Sequence, residues 1–115
     1  MYALADFQGN NGGDGSAPEP FSYFLSSIGT CAGIYVLSFC QQRNIPFKDI
    51  RLIQKMEDTA DGKMVGRITI DIQLPPDFPA KYRKAVISSA QLCTVKKHFE
   101  RPPKFSIVTS TYVPE

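Results

Sequence analysis

Residues 17–46 read APEPFSYFLSSIGTCAGIYVLSFCQQRNIP, and the organisation of the whole chain follows from them. Two prolines and a glutamate lead the stretch. A proline N–H is not needed in a first helical turn, and an acidic group complements the positive helix end. Phe21, Phe24, Leu25, Ile28, Ala32, Tyr35, Val36 and Phe39 then fall at offsets 0, 3, 4, 7, 11, 14, 15 and 18. That spacing is a single helical stripe. Ser26, Gly29, Thr30 and Gly33 occupy the opposite face, where small groups let another helix approach closely. Asn44, Ile45 and Pro46 end the helix, because the residue before a proline is pushed out of the α region. The expected helix runs from 20 to about 42.

No charge falls between Phe21 and Cys40. Twenty such residues match the length of a membrane span. The serines, threonine and glycines dilute the segment, however, and Gln41, Gln42 and Arg43 form a polar exit. A helix uncharged all round is otherwise one buried all round, and in so small a chain full burial points to a second subunit. The expectation is a homodimer without a membrane.

Outward from this helix the pattern changes period. Residues 50–56 are strand-like, Asp61-Gly62 is a turn signal, and Ile68, Ile70, Ile72 and Leu74 alternate with polar residues, as in a hairpin. Pro75-Pro76 stops the second strand. Asp77 and Pro79 open a second helix with Tyr82, Ala85, Val86 and Ser89 on one face. It runs to about Leu92, breaks near Cys93 and resumes through Phe99. Pro102-Pro103 ends it, and residues 105–113 read as a last strand with Phe105, Ile107, Thr109 and Thr111 on one face. Residues 1–7 suggest a short strand and 8–16 a Gly/Asn loop. The class is α+β, with a long buried central helix, an antiparallel sheet and a second helix.

The bulk properties set limits. The chain has 115 residues, 43% apolar and 21% charged, an ordinary globular mixture. At that length it is one domain, 1–115, since two separate cores would be too small to hold. Thirteen basic against eleven acidic residues give a net charge of +2, too weak a bias to predict a nucleic acid or an anionic membrane as partner. Three cysteines make no disulfide framework and favour a reducing, cytoplasmic setting. The first twenty residues hold Asp6, Asp14 and Glu19 and no basic residue, unlike a signal peptide.

The chemistry available is sulfur chemistry. Cys31 and Cys40 are nine residues apart, about 180° round a helix and ~13 Å along it, so they cannot bond within one chain. Either could meet Cys93 once the second helix packs. Cys31 lies among Gly29, Thr30, Ala32 and Gly33, which leave room for a ligand; a free cysteine is also a common inert core residue. On local grounds Cys93 is the better thiolate candidate. A helix restarting there would offer its N–H groups, and Lys96, Lys97 and His98 add positive charge. Unless an arginine reaches Cys31 through the fold or the dimer, that charge predicts that Cys93 is alkylated at lower pH than Cys31. One histidine, spaced as in no zinc site, provides no metal centre. No phosphate loop, dinucleotide fingerprint or serine-nucleophile motif occurs, so no cofactor is expected.

The order of parts resembles the OsmC/Ohr superfamily of osmotically inducible and organic hydroperoxide resistance proteins. The likeness is carried by the stretch at 17–46 and by YRKAVISSAQLCTVKKHF at 82–99, where Cys93, Val95 and Lys97 form a C-x-V-x-K turn. Either cysteine motif alone is weak; the two together are fairly specific, and the likeness covers roughly residues 12 to 112. It implies an OsmC-like fold in an intertwined homodimer whose central helices pack together. It also implies a thiol-dependent peroxidase of oxidative-stress defence, using an organic hydroperoxide and a dithiol reductant. Cys31 matches the peroxidatic cysteine and Cys93 the resolving one; Cys40 matches neither. The family's active members place a Glu nine or ten residues before the first cysteine, where this chain has Ser22 and Phe21. They also use an Arg from an N-terminal strand, and no Arg precedes Arg43 here. Arg43, Arg51 and Arg67 are the available substitutes. These departures sustain an alternative, a non-catalytic OsmC-like dimer that binds an apolar small molecule in the cleft beside Cys31.

Overall fold

The computed structural model describes residues 19–114. The strand expected at 1–7 and the Gly/Asn loop expected at 8–16 lie outside them. Helix α1 spans Pro20–Gln42, with Pro20 in its first turn and Glu19 at its N-cap. Its C-terminal end is a Schellman closure. Asn44 adopts a left-handed φ of 55°, Ile45 N–H donates to the Cys40 carbonyl at 2.9 Å, and Asn44 N–H reaches Gln41 at 3.4 Å. Ile45, the residue after the left-handed position, is buried beside Phe39 and Cys40.

Strands β1 (Arg51–Asp58) and β2 (Val65–Gln73) form an antiparallel hairpin with Leu52 opposite Ile72, Gln54 opposite Ile70 and Met56 opposite Ile68. The turn is built as the Asp61-Gly62 signal predicts. Gly62 takes φ 71°, and the Asp61 carboxylate accepts from the Thr59 hydroxyl at 2.6 Å and the Lys63 N–H at 3.0 Å. A short 3-10 turn, Ala80–Tyr82, leads into α2 (Arg83–Gln91), and α3 (Thr94–Glu100) follows after a break at Leu92 and Cys93. The expected interruption near Cys93 is therefore present. The core gathers round the C-terminal half of α1, where Val36, Phe39, Cys40, Ile45, Phe78 and Val86 pack together. The class is α+β.

One expectation is narrowed and another corrected. Gly29 and Gly33 on the small face of α1 meet strand β1 of their own chain, while Ser26 and Thr30 are exposed. A Cβ added to Gly33 would touch the Leu52 side chain at 3.7 Å, and one at Gly29 would collide with the Gln54 side chain. Gln54 lies across Gly29 and donates to the Leu25 carbonyl at 2.9 Å. Small residues announce a close approach, but not the identity of what approaches. The correction concerns residues 105–113, which form no strand and lie exposed, Ile107 at 99%. Alternation alone does not make a strand; its N–H and C=O groups need a neighbour, and this chain supplies none to them among the described residues.

Candidate active site at a helix seam

Taking Phe24 as reference at 100° per residue, Cys31 and Tyr35 fall at about −20° and +20°, on one stripe of α1. The partners of that stripe are on α3. The Phe24 and Phe99 rings lie 5.5 Å apart, and the hydroxyls of Tyr35 and Thr94 share a hydrogen bond of 3.1 Å. Cys31 sits between these two contacts along α1, half-buried, one helical turn from Tyr35. Cys93 is the N-cap of α3, directly before Thr94. It is 2% exposed, and its Sγ accepts the Lys96 N–H at 3.4 Å. Cys31 thus lies on the stripe of α1 whose neighbours face α3, and Cys93 stands at the start of α3. Cys40 stays apart, in the core at the C-terminal end of α1, where burial pushes its thiol pKa up against a smaller opposing pull from Arg43.

Two of the three basic side chains that local sequence places near Cys93 are engaged within their own helix. Lys96 pairs with Glu100 at 3.0 Å, and His98 Nδ1 bonds the Thr94 carbonyl oxygen at 2.7 Å. Two of the three candidate arginines have partners of their own. Arg43 caps α1, donates to the Phe39 carbonyl at 3.2 Å and lies 3.8 Å from the Phe39 ring centroid; it is twelve residues, roughly 18 Å, from Cys31 along the helix. Arg67 pairs with Glu57 at the exposed end of the hairpin. Arg51 opens β1 and is exposed.

Beside the seam runs an apolar groove of about 470 Å³ between the inner face of β2 and the helices. Ile68, Ile70 and Ile72 form one wall, Ile87 and Phe99 the other, and Cys93 opens into it. Ile28 and Ala32 of α1 also line it, Ala32 being the residue after Cys31, and Cys93 is the cysteine on its wall. Tyr35 and Thr94 were not separable from the apolar stripe and the helix restart by pattern alone. Their signal is positional: each is a hydroxyl residue next to a cysteine, Tyr35 one turn after Cys31 and Thr94 one residue after Cys93.

The described chain is α+β, with one thiol on the α1 stripe that faces α3, another at the start of α3, and an apolar groove alongside. The family model for OsmC-like protein matches residues 13–108, and the chain belongs to the OsmC-like family. Its fold is similar to the crystal structure of a protein from Psychrobacter arcticus 273-4 named for an osmotic stress and detoxification response. The two are 22% identical, with a TM-score of 0.66, over 81% of this chain and 68% of that one. A search of curated proteins finds no match.

Proposed function

We propose that the protein is a thiol-dependent peroxidase that reduces organic hydroperoxides. Family membership supports a stress-response or hydroperoxide-related role, and the neighbouring structure's name points the same way. What supports the finer reading is a thiol, Cys31, on the α1 stripe whose neighbours face α3, with Cys93 at the start of α3 beside an apolar groove. In this scheme the Cys31 thiolate attacks the terminal peroxide oxygen. The O–O bond breaks, the alcohol leaves with a proton, and Cys31 becomes a sulfenic acid. The Cys93 thiol displaces water from it to form a disulfide, which a dithiol reduces while being oxidised itself. Each cycle moves two electrons from dithiol to hydroperoxide. Half-burial lets a substrate reach Cys31, and the groove suits an apolar alkyl group.

The working unit in this proposal is a cytoplasmic homodimer. Its support is apolar surface that one chain leaves uncovered, namely Ile34 and Leu37 on α1 and the segment 105–113. Helix α1 is long and apolar enough to cross a membrane by length and composition. Its Ile28, Ala32, Val36 and Phe39 are buried within the fold, which supports a core helix.

The groove also favours a second reading, an OsmC-like dimer that binds an apolar small molecule without turnover. The discriminating experiment is hydroperoxide consumption with a dithiol reductant in wild type and Cys31→Ser. Loss of consumption in the variant supports the peroxidase. Equal rates end it, and saturable binding of a naphthalene-type fluorescent probe would then favour the binding protein.

A further inference from the structure

We propose that Tyr35 is a positioning residue for the Cys31–Cys93 pair, a role that rests on reading these cysteines as a redox couple. Tyr35 is tied to both sides of the break between α2 and α3. Its carbonyl oxygen accepts from the Ser89 hydroxyl of α2 at 3.3 Å, and its own hydroxyl bonds that of Thr94 in α3 at 3.1 Å. Between those two anchors lies the break that carries Cys93. Thr94 is in turn steadied through its carbonyl oxygen, which His98 meets at 2.7 Å. Cys31 stands one turn from Tyr35 on the same stripe of α1. One side chain therefore fixes the start of α3, and with it Cys93, against the stretch of α1 that bears the other thiol. The elements so joined are two short helices flanking a two-residue interruption, where a lost tether is felt most directly. Tyr35 touches no reacting atom in this scheme. It raises the effective concentration of one thiol at the other by restricting where α3 can begin.

The test is the equilibrium between the Cys31–Cys93 dithiol and its disulfide in a glutathione buffer, with the linked peptides assigned by mass. Two thiols there lose two electrons and two protons to glutathione disulfide, which becomes two glutathione molecules, so no peroxide is required. Tyr35→Phe keeps the ring and removes the hydroxyl; Thr94→Val removes its partner. Each is expected to lower the equilibrium constant about threefold to tenfold, the worth of one hydrogen bond. The double variant should lose little more than either single one, and Thr94→Ser should restore the wild-type value. Unchanged constants, fully additive losses, failure of the serine variant to rescue, or no Cys31–Cys93 disulfide in wild type would each overturn the assignment. Hydroperoxide consumption that does not depend on Cys31 would instead end the peroxidase reading, leaving this equilibrium to judge Tyr35 separately.

Discussion

Three thiols in one small chain meet three different surroundings, and their order of reaction follows from them. Cys31 is half-buried, whereas Cys93 and Cys40 are 2% and 0% exposed. An alkylating reagent must reach sulfur before thiolate character matters. Native protein at neutral pH is therefore predicted to be modified at Cys31 first, with Cys93 and Cys40 following only as the structure opens. Peptide mass spectrometry of a timed iodoacetamide reaction reads this order. It is the reverse of what Lys96, Lys97 and His98 suggest from sequence, because two of those side chains bond within α3 and the sulfur beside them is covered. Cys40 adds a pH dependence. Burial raises its pKa in the folded state, so the unfolded chain loses that proton first. The contribution of Cys40 is full below the unfolded thiol value of about 8.5 and is lost as pH rises through the folded one. Denaturant titrations should show stability falling above that pH, with a shallower fall in Cys40→Ala.

At the scale of elements, the bond from Gln54 to the Leu25 carbonyl joins the hairpin to α1 across Gly29. Gln54→Ala should cost about 1 kcal/mol, since one hydrogen bond is lost while Leu25 keeps its place in the helical ladder; urea unfolding measures it. The limits of α1, the turn at Asp61-Gly62 and the break at Cys93 were all legible in sequence. The first two are dictated locally, by apolar period and proline for the helix and by a backbone needing positive φ for the turn. What was not legible depends on partners distant in the chain. Gly29 and Gly33 signal close packing equally well for a helix or a strand. Nothing in the Tyr35 stripe separates a phenol that bonds Thr94 from one that merely fills space. The strand pattern at 105–113 records a preference that only a neighbouring strand can satisfy.

The whole molecule is extended for its size. Its radius of gyration is 18.7 Å and its dimensions are 59 × 35 × 27 Å, against about 13 Å expected for the radius of a compact domain of about 100 residues. Phe105, Ile107, Val108, Tyr112 and Val113 are more than four-fifths exposed, a surface that one chain does not cover. A homodimer in which this segment pairs with the partner resolves both features. Sedimentation equilibrium at micromolar concentration should then give twice the chain mass, and amides in 105–113 should resist hydrogen exchange. A monomer with freely exchanging amides there would contradict the dimer.

Whether Cys31 and Cys93 act as a pair on an organic hydroperoxide is read by non-reducing peptide mapping after one equivalent of cumene hydroperoxide. The expected product is a linked Cys31–Cys93 peptide, two hydrogens lighter than the sum of its parts, with Cys40 still a free thiol and no such product in Cys31→Ser. Oxidation at Cys40, or a Cys31 that neither reacts nor becomes linked to Cys93, would contradict it.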